Sequence, residues 1–525
     1  MRKLEALIHT LLSNDGSAFL ANHLIGLEKE SLRVAVDGTL SQRPHPPALG
    51  SALTHPFITT DYSEAMLELI TPPMSGAGEA LSMLCDIHKF VYDNIGDEIL
   101  WSTSMPCVLA GETNIPIAEY GSSHAGVMKH IYRVGLGHRY GKVMQVISGV
   151  HFNYSVDENF WPFHAELLGW QGDLQAFINE AYMGMLRNLQ RHGWIIPYLF
   201  GASPAVCKSF FGNKTVTMLE FDKGTWYEPY ATSLRMSDIG YQNQKEESVG
   251  IKANYDSLQT YVDSLRCAIE TPAPLWDVIG LKNPDGSYKQ LNTNILQIEN
   301  EYYSTVRPKQ LLQGMEKPVN ALQRRGIRYI ELRSLDVNAF EPLGINESQL
   351  NFLELFLLAS LLRESPPVSM DERAEIDSNL QLTALHGRDE KLRLRRNGDL
   401  VGLRDWLGEL LSEMEPLAEM LDRRQAGQPY LAALHWQQQK VRDTAMTPSA
   451  RMLEEMRENG ESFYDFARRK SVEHHRYFDS RVIDARRVRE FQSLSTKSIE
   501  EQRQREAADR GSFGQFLDNY FKDRL

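Results

Sequence analysis

The segment GLEKESLRV at residues 26–34 alternates apolar and charged side chains, and it decides the fold class. Two later segments, VHFNYSV at 150–156 and YIELRSL at 329–335, alternate in the same way. A period of two residues is typical of a β-strand that buries one of its faces. Three such strands, far apart in the chain, indicate an antiparallel sheet with one polar face. We therefore predict an α+β fold in which helices surround an antiparallel sheet.

The polar face of these strands carries acids, histidine and arginine in place of the usual threonine, serine and lysine. Alternation places Glu28 on the same side as Glu30, and Glu331 on the same side as Arg333. Two carboxylates two residues apart on a strand are separated by about 7 Å, and their repulsion costs roughly 2–3 kcal/mol when they are partly enclosed. Solvation or a neighbouring cation can offset this cost, and so can a divalent metal ion held by oxygen ligands.

Further acids and one histidine in strand-like segments favour the metal interpretation. The candidate ligands are Glu28, Glu30, Asp61, Glu68, His151 and Glu331. Taken alone, His151 fits a hydrogen-bonded core histidine better than a metal ligand. The sequence has no His-x-x-x-His pair and no cysteine cluster, which disfavours zinc and favours Mg²⁺ or Mn²⁺. Magnesium in such sites usually accompanies a nucleotide phosphate.

Composition excludes several classes of protein. The 525 residues carry a net charge of −13, which disfavours a nucleic-acid partner. The longest apolar run, LFLLASLL at 355–362, is far shorter than the roughly 20 residues that span a bilayer. The four cysteines (Cys85, Cys107, Cys207 and Cys267) form no CxxC pair, so we expect free thiols, no disulfide and a reducing compartment. We predict a cytoplasmic protein that does not contact membranes.

The spacing of apolar residues changes along the chain. Strand-like and aromatic segments fill roughly the first 345 residues, and helical spacing dominates afterwards. We predict a catalytic core at residues 1–365 and a helical region at 366–525 packed on it, with one continuous domain as the alternative. Helices are expected at 403–421, 449–466 and 486–507. The basic run RRKSVEHHR at 468–476 fits a solvated helix face better than a binding patch.

Three short segments carry more specific expectations. The N-terminal residues 4–12 have the spacing of an amphipathic helix. GLGHRYG at 135–141 has the wrong glycine spacing for a dinucleotide fold, so we interpret it as a turn where a helix starts. LQIENEYY at 296–303 alternates, which predicts a strand that places Glu299, Glu301 and Tyr303 on one face.

The usual phosphate-binding loops are missing from the sequence. There is no G-x-x-x-x-G-K-[ST] motif, no kinase signature set and no G-x-S-x-G elbow. A nucleotide site in this chain would therefore not be of the P-loop type. Arginines next to aromatic residues, such as Arg133 and Arg235, could clamp carboxylates or phosphates, although each taken alone is more often part of a structural salt bridge.

Long sequence blocks resemble the bacterial glutamate–cysteine ligases of the proteobacterial class. The first blocks are GLEKESLRV (26–34), HPPALGSALTHPFITTDYSEAMLELITP (45–72), SMPC (104–107), YRVGLGHRYG (132–141), QVISGVHFNYS (145–155) and WIIPYLFGASPAVC (194–207). The others are YATSLRMSDIGY (230–241), LQIENEYYSTVRPK (296–309) and GIRYIELRSLDVNAF (326–340). They are collinear over roughly residues 20–365. Where family members often have L-E-R-E-T, this chain has LEKES at 27–31, which keeps both carboxylates.

The resemblance implies a sheet curved into a funnel, similar to the glutamine synthetase catalytic core. It implies that the six candidate ligands hold divalent cations and ATP phosphates, and that Arg333 lies at the transferring γ-phosphate. Glu331 and Arg333 are the residues to which it gives a catalytic role. The residues implied to bind the substrates are Tyr62, Tyr132, Arg133, Arg235, Tyr241 and Tyr303. The part of the chain after about residue 366 shows little of the family pattern.

The activity implied by the resemblance is the ATP-dependent joining of the γ-carboxylate of L-glutamate to the amino group of L-cysteine. This reaction is the first step of glutathione biosynthesis. It implies Mg²⁺ or Mn²⁺ as cofactor, ATP as co-substrate, a γ-glutamyl phosphate intermediate, glutathione as feedback inhibitor and a monomeric enzyme. Two alternatives stay open from the residues: a ligase of the same fold that prefers another amine, and a non-catalytic scaffold whose charged C-terminal helices bind a partner.

Overall fold

The structure of the protein is a computed structural model that describes residues 7–8, 10–11, 17–20, 22–212, 215–240, 252–423 and 425–523. The strands are β1 Leu24–Val34, β2 Ile58–Thr60, β3 Met66–Ile70, β4 Ile99–Leu100, β5 Gly149–Ser155, β6 Ala205–Cys207, β7 Leu219–Asp222, β8 Thr225–Tyr227, β9 Val306–Lys309, β10 Tyr329–Asp336, β11 Arg393–Arg396 and β12 Asp399–Gly402.

Helices alternate with these strands over the first two thirds of the chain and predominate after it, where β11 and β12 form a hairpin. The helices are α1 Ser17–Leu20, α2 Ala77–Tyr92, α3 His124–Tyr140, α4 Phe160–Leu167, α5 Leu174–Arg191, α6 Ile195–Phe200, α7 Leu258–Glu270, α8 Pro274–Asp277, α9 Pro318–Arg325, α10 Glu347–Leu362, α11 Met370–His386, α12 Leu403–Asp422, α13 Pro429–Arg442, α14 Pro448–Asn459, α15 Phe463–Asp479, α16 Ala485–Ala508 and α17 Phe513–Phe521.

The largest sheet confirms the predicted antiparallel architecture. Its strands lie in the order β2-β3-β1-β5-β10-β9, and β4 pairs with the end of β1. Every pair in it is antiparallel. The three segments that alternate in the sequence become β1, β5 and β10, which are neighbours at the centre of the sheet. The residues that share the polar face of these strands are therefore brought together by the register.

The opposite face of the sheet forms the main hydrophobic core. Leu27, Phe152 and Leu332 lie at one level of three adjacent strands, and each is at most 2% exposed. Burial of a side chain of this size contributes roughly 1.5–3 kcal/mol. Helices α5 and α10 belong to the layer that covers this face, and α10 is buried on every side, which explains the apolar run at 355–362.

The helices that follow residue 370 pack into the same core. Leu407, Leu411 and Met414 of α12 belong to one hydrophobic cluster with Leu27 and Phe152 of the sheet. The expected helices at 403–421 and 486–507 are confirmed as α12 and α16. The basic run at 468–476 lies in α15, where Arg469 pairs with three glutamates, Glu455, Glu461 and Glu473.

Three secondary-structure predictions are wrong. Residues 299–301 form a 3-10 turn and not a strand, and Glu301 is held inside the protein by Arg139 Nη1 at 2.8 Å. GLGHRYG ends helix α3 and does not start one, with Gly141 as its C-cap residue. The stretch 449–466 is split between α14 and α15 because Gly460 adopts a left-handed conformation (φ 64°) that ends the first helix.

A β-hairpin interrupts the region predicted to be helical. Strands β11 and β12 are joined by Asn397 and Gly398, which both have positive φ, 54° and 87°. Asn-Gly is the preferred dipeptide for the two-residue turn whose twist matches a hairpin. The turn signal was present in the sequence RRNGDL at 395–400.

The cysteine prediction is half wrong. Cys107 and Cys207, 100 residues apart in sequence, form a disulfide with a Cα–Cα distance of 5.5 Å. No local spacing of cysteines predicts this disulfide, because only the fold brings the segment after β4 beside the end of β6. Cys85 and Cys267 are free thiols, as expected. The cysteines therefore no longer support the prediction of a reducing compartment.

Two findings concern the chain ends and membranes. Ile8 and Leu11 of the expected N-terminal helix are buried, whereas Leu4 and Leu12 lie outside the described residues. Within the described ranges, none of the helices combines the length and the apolar character that a membrane-spanning helix requires.

Candidate active site

The candidate active site lies on the polar face of the large sheet. Strand alternation places its side chains there because residues two apart point to the same side. From one edge of the sheet to the other, the face carries Glu68 of β3, Glu28 and Glu30 of β1, His151 and Asn153 of β5, Glu331 and Arg333 of β10, and Arg307 and Lys309 of β9. Acids thus dominate on β3 and β1, and cations dominate on β9.

Glu28, His151 and Glu331 form the centre of this face. Their candidate ligand atoms all lie within 4.8 Å of one another. His151 Nδ1 is 3.1 Å from Glu28 Oε2 and 3.9 Å from Glu331 Oε1. Asn153 Nδ2 donates a hydrogen bond of 2.8 Å to Glu28 Oε1 and so fixes that carboxylate. Three predicted ligands from three different strands therefore converge on one point.

Glu30, Glu68 and Asp61 extend the cluster toward the β2 edge. Glu30 and Glu68 are direct neighbours across β1 and β3. Glu30 Oε2 accepts a 2.6 Å hydrogen bond from the backbone amide of Gly149, and Glu30 Oε1 lies 3.8 Å from His151 Nε2. Burial and the charges of Glu28, Asp61 and Glu30 raise the pKa of Glu68 well above its ordinary value.

The electrostatics differ between the two sides of the cluster. Burial raises the pKa of Glu30, as it does for Glu68. Burial also opposes the ionisation of Glu28 and Glu331, but their cationic neighbours prevail. His151 donates to Glu28, whose pKa falls to about 2. Lys309 and Arg333 hold the pKa of Glu331 well below its ordinary value. Burial thus prevails at Glu30 and Glu68 and raises their pKa, whereas cationic neighbours prevail at Glu28 and Glu331 and lower theirs.

The donor set fits a hard divalent cation. Carboxylate oxygens with one imidazole nitrogen suit Mg²⁺ or Mn²⁺. His151 Nε2 is buried and has no hydrogen-bond partner among the described residues, although it lies beside Glu30. An unpaired buried nitrogen among several buried acids is costly unless a ligand satisfies it. The site therefore offers the negative charge and the unpaired nitrogen ligand that a divalent metal ion needs.

Arg333 contacts two of the predicted metal ligands, Glu331 and His151. Its Nη1 is 3.2 Å from Glu331 Oε2 and 3.4 Å from His151 Nδ1. The pairing of β10 with β5 shifts register between Leu332 and Leu335, so Arg333 occupies a β-bulge. Bulges of this kind re-aim side chains next to active sites. The Arg333 amide instead bonds the carbonyl of Thr305 at 2.8 Å.

Arg133 borders the acid cluster on the β2 side. Its Nε donates to the backbone carbonyl of Asp61, and its guanidinium lies 4.7 Å from the centre of the Tyr120 ring. The neighbouring Tyr132 lies in the same wall, half-buried, with its ring centre 5.9 Å from the Arg133 guanidinium. Tyr62 is buried, and its hydroxyl has no hydrogen-bond partner among the described residues.

Arg235 is buried at the end of the polar face, on the side of β5 to which Gly149 and His151 both point, and its charge acts on Glu30. It is fully buried, donates to the carbonyl of Arg333 at 2.9 Å and lies 3.7 Å from Asp336. A side chain at Gly149 would come within 2.1 Å of its guanidinium, so the glycine allows this close packing. Arg235 therefore lies at the polar face and also supports the strand that carries Arg333.

Two predicted tyrosines remain. The Tyr303 hydroxyl donates to Gln145 Oε1 at 2.8 Å, between the end of α3 and β9. Tyr241 lies outside the described residues.

The sequence interpretation missed Lys309, Asn153 and Gln145 as members of the site. Lys309 Nζ is 3.1 Å from Glu331 Oε1. Arg307 and Lys309 have the same two-residue spacing as Glu331 and Arg333. Pro308 lies between them, and a proline argues against the prediction of a strand. The alternation in VHFNYSV at 150–156 places Asn153 on the polar face but gives it no role. Gln145 lies in a 3-10 turn that has no sequence signal of a site.

Comparison with known proteins supports a common origin with one enzyme family. A model of the glutamate–cysteine ligase family matches residues 8–383. The glutamate–cysteine ligase of Alcanivorax borkumensis is 46% identical over 100% of both chains. That of Azotobacter vinelandii is 45% identical over 97% of this chain and 96% of its own.

A solved structure agrees over the same extent. The crystal structure of the glutamate–cysteine ligase of Francisella tularensis in complex with AMP has a TM-score of 0.90 and 36% identity, and the match covers 96% of this chain and 98% of that one. A bifunctional glutathione synthetase from Pasteurella multocida shares the fold, with a TM-score of 0.70 and 23% identity over 93% of this chain and 57% of that one.

Proposed function

The chain belongs to the glutamate–cysteine ligase family, and from this premise we propose that the polar face of its large sheet performs the ligation. The reaction joins the γ-carboxylate of L-glutamate to the amino group of L-cysteine and converts ATP to ADP and phosphate. It is the first step of glutathione synthesis. The observation that carries the proposal is the convergence of Glu28, His151 and Glu331 with two cations, Arg333 and Lys309.

The chemistry explains why such a face is needed. A carboxylate is a poor acyl donor because its negative charge repels the nucleophile and its leaving group would be oxide. Transfer of the γ-phosphoryl group of ATP to the γ-carboxylate of glutamate gives an acyl phosphate. The amine of cysteine then attacks the acyl carbon, the C–N bond forms, and phosphate leaves. The protein's contribution is chiefly positioning and charge stabilisation.

Each charged residue of the face has a part in this scheme. Glu28, Glu30, Asp61, Glu68, His151 and Glu331 would hold the divalent cation, Mg²⁺ or Mn²⁺. When bound, such an ion neutralises and orients phosphate oxygens. Arg333 is placed to stabilise charge on the transferred phosphoryl group, and Lys309 of β9 contacts the other carboxylate oxygen of Glu331. Both cations also keep Glu331 ionised, because they favour its charged form.

The walls of the site are proposed to bind the amino acids. Arg133 and Tyr132 border the acid cluster on the β2 side, and Tyr62 offers a buried hydroxyl nearby. Tyr303 and Tyr241 are assigned to the same pockets on the strength of the family resemblance. Arg235 is assigned to substrate binding by the same resemblance, and its hydrogen bond to the carbonyl of Arg333 also positions that strand.

ADP release by the purified protein tests the proposal. It is measured with ATP, Mg²⁺ and L-glutamate, and compares L-cysteine, L-2-aminobutyrate, glycine and no amine. We expect release that depends on glutamate and is fastest with cysteine, together with γ-glutamylcysteine detected by mass spectrometry. Faster release with another amine would keep the mechanism and change the acceptor. No metal- and glutamate-dependent release under any of these conditions would refute the proposal and favour a scaffold.

The acyl phosphate has its own signature. With ¹⁸O in the γ-carboxylate of glutamate, one labelled oxygen is expected in the phosphate released, because the C–O bond of the intermediate breaks on the acyl side. Unlabelled phosphate would exclude γ-glutamyl phosphate.

We further propose a cytoplasmic monomer with a core at residues 1–365, a helical region at 366–525, and inhibition by glutathione. The need for ATP supports the cytoplasm, and the resemblance supports the inhibition. Light scattering during size-exclusion chromatography tests the monomer, for which a mass near 59.9 kDa is expected. Titration with glutathione in the ADP assay tests the inhibition.

A further inference from the structure

The turn at 296–303 buries an acid that the proposed mechanism does not use. Glu301 is 1% exposed and accepts four hydrogen bonds. Its Oε1 accepts from Arg139 Nη1 and from the Tyr140 hydroxyl, each at 2.8 Å. Its Oε2 accepts from the Gln297 backbone amide at 2.8 Å and from Gln297 Nε2 at 3.1 Å. A carboxylate offers roughly four lone-pair sites, so these donors hold it in one orientation.

Through Arg139, the acid holds the end of helix α3. The Arg139 side chain is fully buried and forms an ion pair with Glu301. Its guanidinium also donates to Gln290 Oε1 at 2.9 Å and to the carbonyls of Asn292 and Ile295 at 2.8 and 3.2 Å. Removal of one partner from a buried ion pair leaves an uncompensated charge. Glu301 therefore keeps the last turn of α3 against the segment that precedes the turn at 296–303.

Through Gln297, the same acid reaches the middle of helix α3. Gln297 is fully buried, and its Nε2 donates to the backbone carbonyl of Tyr132 at 3.2 Å. Gln297 Oε1 accepts from the Leu291 amide at 3.0 Å. A side chain at Gly135 would clash with Gln297 Oε1, so the helix comes this close because residue 135 is glycine. The backbone of Tyr132 is thus fixed to the turn.

The turn leads directly to a second tyrosine of the site. Tyr303 follows Glu301 by two residues, and its hydroxyl donates to Gln145 Oε1 at 2.8 Å. Burial, followed by the charge of Glu301, raises the pKa of Tyr132, so the acid also lies near that side chain. One buried carboxylate therefore sets Tyr132 of α3 and Tyr303 relative to each other.

This arrangement is separate from the centre of the polar face. The donors to Glu301 belong to α3 and to the turn, whereas Glu28, His151 and Glu331 lie on strands β1, β5 and β10. Displacement of a positioned group by about 1 Å can cost on the order of 10²-fold in rate. A shift of α3 against the turn is therefore expected to weaken the binding of an amino acid and to leave the metal and nucleotide positions in place.

We propose that Glu301 is a positioning residue of the ligation, which together with Gln297 fixes the spacing of Tyr132 and Tyr303 and thereby sets the affinity for an amino-acid substrate. The inference rests on the proposed function, which assigns both tyrosines to amino-acid binding. Glu301 contacts no substrate in this scheme and acts only through the backbone segments that it holds.

The test uses the full-length protein and the variants Glu301→Gln and Gln297→Met. Glu301→Gln keeps the volume and removes the charge, whereas Gln297→Met removes the amide that holds Tyr132 and leaves the buried ion pair intact. KM is measured for L-glutamate, L-cysteine and ATP by ADP release. We expect KM for at least one amino acid to rise about tenfold in Glu301→Gln and about threefold in Gln297→Met, with kcat and KM for ATP within about twofold of the wild type.

Two controls separate positioning from folding. Glu299→Gln makes the same substitution at the neighbouring buried acid of the turn, which accepts from the Val319 amide of α9. It is expected to leave all three KM values unchanged. Equilibrium binding of Mn²⁺ by each folded variant, checked by circular dichroism at the assay temperature, should match the wild type.

Three results would overturn the inference. These are wild-type KM values in the folded variants of Glu301 and Gln297, an equal rise in KM for ATP, and an equal effect of Glu299→Gln. If Glu301→Gln does not fold, Gln297→Met decides alone. A wild-type protein without glutamate-dependent ADP release would instead refute the proposed function, on which this inference depends.

Discussion

The large sheet buries a glutamate–histidine pair on each of its two sides, and the two pairs differ in their surroundings. On the polar face, Glu331 is 1% exposed and lies 3.9 Å from His151. On the helical side, Glu354 of α10 is also 1% exposed and lies 2.6 Å from His23. Burial and a histidine neighbour are therefore common to both sites, and neither marks a function.

The number of acids separates the two sites. Glu354 is a single carboxylate that receives His23 and the hydroxyl of Tyr430 at 2.9 Å. Around His151, three glutamates compete for one imidazole, and Glu68 and Asp61 stand beside them. A single paired acid stabilises a fold or costs it little, whereas an excess of buried acids requires a cation from outside. This difference predicts that substitution of an acid on the polar face lowers activity, whereas substitution of Glu354 lowers stability.

The largest expected effect is on activity, from Glu331→Gln. Glutamine keeps the volume and removes the charge that faces Lys309 and Arg333. We expect kcat to fall by about 10³-fold, as for loss of a transition-state electrostatic group, with little change in thermal unfolding. Steady-state ADP release and circular dichroism check both points. Near-normal turnover would remove Glu331 from the site.

The next effect is on stability, from Phe152→Ala on the apolar face of the same strand. Phe152 is fully buried between Leu27 and Leu332. Loss of the ring is expected to lower the free energy of unfolding by about 3–5 kcal/mol. Activity per folded molecule, measured below the unfolding transition, should stay within about threefold of the wild type because the polar face is unchanged. A loss of kcat in the folded fraction would contradict the prediction that the apolar face affects stability and not activity.

Glu354→Gln, the counterpart of Glu331→Gln, is expected to destabilise the fold and spare catalysis. Breaking one partner of a buried pair costs about 3 kcal/mol. Burial disfavours the charged form of His23, but Glu354 prevails and raises the pKa of His23 above 6.5. The stabilisation by this pair is therefore complete below pH 6.5 and is lost as the pH rises through the raised pKa. Urea unfolding at pH 6 and pH 9 should show the larger difference between wild type and variant at pH 6, and a larger difference at pH 9 would contradict the pairing.

The smallest effect is expected from the double variant Cys107→Ser/Cys207→Ser. The disulfide closes a long loop, and its loss should lower the free energy of unfolding by about 2 kcal/mol. Turnover should stay within about twofold of the wild type, because neither cysteine contacts the polar face. Cys267→Ser, at an exposed free thiol, is the control. A loss of turnover in the double variant at unchanged fold would indicate a catalytic thiol.

The sequence was sufficient for the centre of the sheet and for the core of the site. Alternation in three segments predicts β1, β5 and β10 together with the side on which Glu28, His151 and Glu331 lie, because the two-residue period fixes both strand and face. Asp61 and Glu68 were predicted because they lie in strand-like segments, and the structure brings both to the same acid cluster. The role of each ligand remains a prediction.

The parts that the sequence did not predict depend on long-range packing. Residues 296–303 alternate like a strand, yet Arg139 and Tyr140 draw Glu301 into a buried turn. Arg235 has the local signature of an anchor, and the sequence does not predict that it also donates to the carbonyl of Arg333 from the 3-10 turn at Leu234–Met236. The disulfide and the docking of α16 on residues 50–54 join segments that are 100 or more residues apart, so no local pattern specifies them.

Equilibrium binding of Mn²⁺, followed by electron paramagnetic resonance, tests most directly the claim that the excess of acids on the polar face holds a divalent cation. The wild type, Glu331→Gln and Glu354→Gln are titrated at one pH without nucleotide. The account predicts that Glu331→Gln binds Mn²⁺ at least tenfold more weakly, whereas Glu354→Gln binds it like the wild type. Equal binding by all three proteins, or weaker binding by Glu354→Gln alone, would contradict it.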